Sequence, residues 1–375
     1  MTPAALTVSS ITPEDHLAFL ATQPSASFLQ TPAWAAVKPE WRAESIGWFR
    51  SGTPAPVGVG LVLHRRLPRL GRTLAYLPEG PVIDWLDGDL AAWLEPMRDH
   101  LRSQGAFGIR MGPPVVTRRW DAATIKKAVA DDALRSLSDV PATVQHDAAL
   151  AVPSTLRRLG WKELPTEGGF SAGQPKYNFQ LPLDGLGEDQ VLAGMNQLWR
   201  RNIKKAAKQG VEVVQGDRAD LAAFHATYVE TAERDHFTPR PLGYFETMWD
   251  ALRAEDPDRM RLYLARHEGD LVAATTMVRV GGHAWYSYGA STTAKRDVRG
   301  SNAIQWQMIR DAMAAGATVY DMRGITDTLD PADSHVGLIQ FKVGTGGEAV
   351  EYLGEWDLPI SKVLYTAFDL YMKRR

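Results

Sequence analysis

At 375 residues the chain exceeds what one ordinary core holds, so two domains are expected. It has no cysteine, which excludes disulfides, thiolate metal sites and a cysteine nucleophile, and its nine histidines show no HxxxH or HxH spacing, so neither a metal nor any other cofactor is expected. A formal net charge of −2 argues against a protein that coats nucleic acid generically, and any polyanionic partner must therefore meet a local basic patch.

The first residues, Met1 to Pro13, carry no basic segment followed by an apolar core, and no run of about 18 apolar residues occurs anywhere, so a cytoplasmic protein is expected. Residues 57–63 and 73–77 are strand-like, residues 89–104 have a helical pattern, and 105–111 open with Gly-Ala and continue as a strand. In the second half, 261–266, 271–280 and 284–288 are strand-like, a helix is expected over 301–315, and 316–322 again begins with Gly-Ala and becomes a strand. Both halves thus run strand, strand, helix, Gly-Ala, strand. That order fits an α/β fold of mixed sheets in two tandem acetyltransferase-like (GNAT-like) domains, each with a helix crossing between neighbouring strands. The Gly/Pro-rich stretch 168–175 is the expected linker, which gives a first domain of residues 1–172 plus 355–375 and a second of 173–354.

Residues 188–209 have the pattern of one amphipathic helix, capped by Gly210. At about 100° per residue, Leu192, Met195, Trp199, Ile203 and Ala206 share one side, while Arg200, Arg201, Lys204, Lys205 and Lys208 spread over roughly 140° of the other. Five cations with no acid among them make a solvated face or a contact for a phosphate backbone.

From this helix onward the chain resembles the Fem aminoacyltransferase family, enzymes that use aminoacyl-tRNA to branch peptidoglycan. The resemblance is carried by Gln174-Pro-Lys-Tyr-Asn-Phe-Gln-Leu, by Trp199-Arg-Arg-Asn-Ile-Lys-Lys-Ala-Ala-Lys-Gln-Gly-Val211, and by Glu233-Arg-Asp-His-Phe237 with Arg240 and Tyr244-Phe245. It continues through Tyr286-Ser-Tyr-Gly-Ala290, Asn302-Ala-Ile-Gln-Trp306, Tyr320-Asp-Met-Arg-Gly-Ile325 and Gly337-Leu-Ile-Gln-Phe-Lys-Val-Gly344. The first half adds Phe28-Leu-Gln-Thr-Pro-Ala-Trp34 with Lys38. Two features depart from the family pattern. The coiled-coil arm of many members is missing between Ala219 and Tyr244, and the usual Phe-Lys-Xaa-Gly-Phe run ends here in Thr345.

The resemblance implies a transfer of glycine, or failing that alanine or serine, from aminoacyl-tRNA to the side-chain amine of the third residue of a stem peptide. The acceptor is a lipid II or UDP-linked peptidoglycan precursor, and the product builds the interpeptide bridge. Lys342 matches the lysine placed at the donor ester, a cation for the tetrahedral oxyanion. Lys38 and Arg240 match residues that hold the precursor pyrophosphate. Tyr286 and Tyr288 are expected on one face of a strand, and Tyr286 is taken as the acceptor-side tyrosine. Arg200, Arg201, Lys204, Lys205 and Lys208 become the tRNA contact. Asp321 and Arg323 are expected as a buried ion pair of structural value, and no catalytic base is identified.

The expected partners are thus aminoacyl-tRNA and the precursor, acting on a monomer. The terminal segment, with Leu364, Tyr365, Phe368 and Tyr371 before Lys373-Arg-Arg375, is expected first as a helix closing the first domain, and second as a peripheral contact with the inner membrane face. Three other readings fit less of the pattern. An acyl-CoA N-acyltransferase would use residues 296–303 as a phosphate loop, which Asn302 interrupts. A non-catalytic binding protein would have no use for Lys342. A tRNA-dependent enzyme of peptide natural-product synthesis would share all the chemistry and differ only in its acceptor.

Overall fold

The computed structural model describes residues 6–67, 71–131, 133–165, 173–330, 332–333 and 336–373. It divides into two compact units, one of Met1–Arg119, Val144–Lys176 and Glu351–Arg375, the other of Trp120–Thr143 and Tyr177–Val350.

The sheet of the first unit runs, in spatial order, Leu6–Ser10, Arg42–Arg50, Gly58–Arg66, Thr73–Leu77, Ala106–Met111, Trp356–Pro359 and Lys162–Glu163. The first four strands are successive antiparallel neighbours. Thr73–Leu77 and Ala106–Met111 are parallel, which requires a crossover, and helix Leu90–Ser103 supplies it. Asp89 caps that helix by accepting from the Ala92 N–H, and Leu90, Trp93, Leu94, Met97 and Leu101 form one apolar face against Trp48, Val62 and Ile109. Gly105, at φ 88, ends the turn in a left-handed conformation that costs glycine little.

The second unit repeats the plan. Its neighbours run Glu212–Gly216, Met260–His267, Asp270–Val280, His283–Ser291, Val319–Ile325, Tyr177–Pro182 and Glu348–Tyr352. Four antiparallel strands lead to one parallel pair, His283–Ser291 with Val319–Ile325, across helix Gly300–Ala314 and the left-handed Gly316 at φ 76. In both units an antiparallel strand from a distant part of the chain follows: Trp356–Pro359 in the first, Tyr177–Pro182 in the second. The mixed α/β class and the internal repeat expected from the sequence are both present.

Three expectations need correction. Residues 120–143 pack with the second unit, because Trp120, Ile125, Ala128, Leu137 and Val140 are buried in its core with Tyr177 and Phe179. The unit boundaries also fall at 176/177 and 350/351 instead of 172/173 and 354/355. Of the proposed linker, residues 168–172 lie outside the described residues. Finally, the helix expected over 188–209 is two helices, Glu188–Gly194 and Gln197–Lys208. Met195 is extended at ψ 149, and the Asn196 side chain accepts from the Trp199 N–H at 2.9 Å, so the asparagine starts a new helix.

Helix Lys362–Lys373 packs Phe368 against Phe107 of its own unit, the closing-helix arrangement, and leaves Val363 and Leu370 exposed. Among the described residues no helix is long and apolar enough to cross a membrane.

Candidate active site

The centre of the candidate site is an irregularity in the strand Val319–Ile325. Asp321 pairs with Gln180 and Gly324 with Asn178, so Met322 and Arg323 together stand opposite Phe179 alone. The bulge is held from within. Arg323 takes φ 63, unusual for a residue with a Cβ, and its backbone N–H donates to Asp321 Oδ1 at 2.6 Å. The other carboxylate oxygen, Oδ2, accepts from Gln180 Nε2 at 3.0 Å and from His283 Nε2 at 3.1 Å, and the His283 ring stacks on Trp285. Burial alone would raise the Asp321 carboxyl, but hydrogen bonding and charge from His283, the Arg323 charge and Gln180 hold it below the ordinary carboxylate range. In place of the expected Asp321–Arg323 ion pair, the contact described is a hydrogen bond from the Arg323 backbone N–H, and the guanidinium acts on the carboxylate through its charge.

Lys342 lies over this bulge. It belongs to the helix Val336–Val343, and its side chain is buried with Val336, Ile339 and Val343. Nζ donates to Gly324 O at 2.7 Å and Arg323 O at 3.2 Å, the carbonyls beside the extra residue. Among the described residues no carboxylate lies within ion-pair distance of it. Burial lowers its pKa to about 7, with Asp321 opposing the fall and Arg323 adding to it. An amine so placed exchanges its proton near neutrality and presents a cation where water does not screen it.

The turn after Lys342 ties it to the basic helix. Thr345 Oγ1 donates to Lys342 O at 2.7 Å, and Gly344 O accepts from the Asn196 N–H at 2.9 Å. Trp199 Nε1 donates to Phe341 O at 2.8 Å, and its ring lies against the Gly344 Cα, where any side chain would collide with it. Thr345, fully buried, thus serves the turn at the position where the family pattern has phenylalanine.

On the basic helix, Arg201, Lys204 and Lys208 are exposed and, among the described residues, have no ion-pair partner. Two members of the stripe are engaged. Arg200 Nη1 donates to Ala193 O at 2.9 Å, and Lys205 Nζ stands 4.0 Å from Asp297. Lys38, in the first unit, follows helix Ala33–Val37 with Nζ 5.9 Å from the Trp34 ring. Arg240, in the second, is exposed and lies 5.2 Å over the Tyr244 ring.

Tyr286 and Tyr288 do not share a face. Tyr288 pairs with Thr276 and Tyr286 with Met277, adjacent residues of the neighbouring strand, because Ser287 is an extra residue. Tyr288 consequently joins Tyr228, Tyr244 and Phe245, its hydroxyl 3.1 Å from that of Tyr244. Tyr286 packs on the core around Met277 and Met308, across the Cα of Gly289, and burial pushes its hydroxyl up to about 12. Tyr288, through Tyr244, is the tyrosine grouped with Arg240.

The first unit contains a buried carboxyl that motif reading passed over. Glu355 Oε1 accepts from Tyr76 Oη at 2.7 Å, and burial raises its pKa. The Cα of Gly173 and that of Gly112 approach the same carboxyl closely. Its sequence signal is weak, a single acid between Gly354 and Trp356.

Fold and site together define a tandem GNAT-like protein with a buried cationic lysine in the second repeat. A FemX crystal structure superposes with a TM-score of 0.79 at 24% identity, covering 96% of this chain and 99% of the other. The L-PGS of Bacillus licheniformis and a tandem GNAT protein of clavulanic acid biosynthesis follow at TM-scores of 0.52 and 0.50, with 11% and 14% identity. The first covers 97% of both chains, the second 95% of this chain and 99% of its own. Residues 11–267 and 261–373 match the FemAB family, and the chain belongs to it. Lipid II:glycine glycyltransferase of Staphylococcus aureus (strain USA300) is 26% identical, over 96% of this chain and 94% of that protein.

Proposed function

We propose that the protein is an aminoacyl-tRNA-dependent transferase that adds an amino acid, glycine first, to the side-chain amine of the third residue of a peptidoglycan precursor stem peptide. The observation that carries this reading is the Lys342 ammonium, buried and gripped by two carbonyls, in a chain of the FemAB family. Similarity to a lipid II:glycine glycyltransferase supports a lipid-linked acceptor and glycine as the transferred group.

In the reaction the neutral acceptor amine attacks the donor ester carbonyl, forming a C–N bond and a tetrahedral oxyanion. Lys342 stabilises that charge. Collapse breaks the ester C–O bond, and the proton lost by the amine ends on the departing tRNA hydroxyl. Arg240 contacts the precursor's phosphates, with the Tyr244–Tyr288 pair beside it, and Lys38 is assigned separately as a phosphate contact of the first unit. Arg201, Lys204 and Lys208 form the free part of the tRNA contact, and Arg200 and Lys205, engaged with Ala193 O and Asp297, make up the rest.

The decisive experiment offers labelled amino acids on a panel of charged tRNAs, and as CoA thioesters, with lipid-linked and nucleotide-linked precursors as acceptors. The expected result is transfer from glycyl-tRNA to the stem-peptide amine. Transfer from the thioester alone overturns the donor assignment, and transfer to neither precursor overturns the acceptor.

A further inference from the structure

Asp321, His283, Gln180 and Arg323 have no part in the chemistry just described, yet the first three are tied together at the bulge, and the Arg323 backbone links them to Lys342. We infer that Asp321 and Arg323 are positioning residues that act through Lys342: Asp321, clamped by His283 and Gln180, holds the bulge that turns two carbonyls toward the amine, and the opposed charges of Asp321 and Arg323 govern its protonation. The inference rests on the proposed role of Lys342 at the donor ester.

The geometry assigns the parts. With Oδ1 on the Arg323 N–H, Asp321 stabilises a left-handed backbone at a residue that otherwise disfavours it. That conformation places the carbonyls of Arg323 and Gly324 on the side of Lys342 Nζ. Because Oδ2 is taken up by Gln180 and His283, the carboxylate keeps its place and does not close on the amine as an ion pair. A direct pair would hold the lysine as a permanent, neutralised cation; carbonyl dipoles alone would leave it largely deprotonated in a buried site.

The neighbouring elements supply the remaining charges. The strand Val319–Ile325 contributes Asp321 and Arg323, and His283–Ser291 contributes His283 through Asp321. The adjacent helix Ala122–Val129 buries Ile125 and Ala128 and exposes Lys126 and Lys127, and the basic helix turns Trp199 toward Phe341 while its cations stay outside. Burial lowers the amine most, and the two opposed charges at the bulge then bias it, Asp321 upward and Arg323 downward.

Two substitutions of opposite sign test this. In protein labelled with 13C-lysine, the Lys342 resonance is assigned by its loss in Lys342→Arg, and its titration is followed by NMR beside the pH dependence of kcat. Asp321→Asn keeps an acceptor for the Arg323 N–H and removes the negative charge. The Lys342 titration is expected to fall by about one pH unit, the alkaline limb of kcat to fall with it, and both KM values to stay within about two-fold. Arg323→Gly suits the left-handed backbone and removes the cation, and both titrations are expected to rise, by less than Asp321→Asn lowers them. Arg323→Gly also keeps the inference falsifiable if Asp321→Asn fails to fold. A Lys342 resonance that titrates as in the wild type in both folded variants overturns the inference. A resonance that moves as expected while the kcat limb stays fixed upholds the positioning role and overturns the assignment of Lys342 to the oxyanion.

Discussion

The two units carry the same strand order but treat the charge at the corresponding place in opposite ways. Counting from Gly105-Ala106 and Gly316-Ala317, the fifth residue beyond the alanine's glycine is Arg110 in the first unit and Asp321 in the second. Arg110 faces Asp357 on the adjacent antiparallel strand and closes a two-pronged ion pair, 2.8 Å at both contacts, with Tyr365 also on the carboxylate. Asp321 faces the neutral Gln180, its strand bulges, and Lys342 comes to rest on carbonyls. One position became a staple. The other became a place where a buried cation persists without a neutralising partner, the condition a site needs in order to stabilise charge that appears only during reaction.

The comparison breaks most sharply at Lys342. Removal of one oxyanion donor typically costs about 10² to 10³ in kcat, so Lys342→Met is expected to lose that much turnover with both KM values within a few-fold, as befits an interaction made only in the transition state. Steady-state kinetics with saturating glycyl-tRNA and precursor measure it. Intact turnover with a raised precursor KM would make Lys342 a binding residue and erase the contrast between the units.

At Arg110 the expected loss is in stability. Breaking a buried pair by removing one partner typically costs about 3 to 5 kcal/mol, and since the Arg110 side chain retains 26% exposure the lower figure applies. Arg110→Met should therefore destabilise the fold by about 3 kcal/mol in chemical denaturation, while turnover per folded molecule keeps its pH profile. A changed profile with unchanged stability would place Arg110 in the chemistry and show the closed pair to be a site.

How much of this was legible from the sequence divides along the same line. The Gly-Ala steps, the crossover helices and the strand runs are local, and they gave the repeat. Lys342 stood out only through the family pattern, because nothing in Val336-Gly-Leu-Ile-Gln-Phe-Lys-Val343 tells which side of a short helix is buried. Its surroundings are non-local: Gln180, His283 and Asp321 meet through sheet order alone, and a bulge leaves no periodicity. The split at Met195 and Asn196 was legible in principle, since Asn196 three residues before Trp199 is an N-cap signal. A cationic stripe continuing across it concealed the break. The tyrosine faces were missed because strict alternation fails wherever one extra residue enters a strand, as Ser287 does.

The pH dependence of stability sharpens the contrast further. Burial takes Lys342 from an ordinary 10.5 to about 7, so above about pH 7 the unfolded chain binds the proton more strongly than the folded one, and folded stability rises with pH up to about 10.5. Below about pH 7 both states are protonated and the cost of the buried cation is present in full. Lys342→Met lacks this titration. Its stability relative to the wild type is therefore expected to be highest near pH 6 and to fall by about 2 kcal/mol between pH 7 and pH 9, at about 1.4 kcal/mol per unit of pH less incomplete titration. Denaturation curves at three pH values test this, since other groups cancel in the difference. A gap independent of pH would mean that the lysine keeps its charge in the fold, as Arg110 does.

The smallest expected effect separates the two tyrosines of the strand His283–Ser291. Tyr288 Oη shares a hydrogen bond of 3.1 Å with Tyr244, the ring under Arg240, whereas Tyr286 lies against the opposite core. Losing one neutral hydrogen bond is worth about 0.5 to 1.5 kcal/mol, so Tyr288→Phe should loosen the ring that supports the Arg240 guanidinium and raise the precursor KM by about two-fold to about twelve-fold. It should leave kcat and the KM for tRNA nearly unchanged, because the lost contact lies on the acceptor's phosphate side in the proposed arrangement. Tyr286→Phe keeps the packing ring and should change the precursor KM by less than about two-fold. The reverse order, with Tyr286→Phe the more damaging, would return the acceptor to the face that the bulge at Ser287 turned away, and would separate Arg240 from precursor binding.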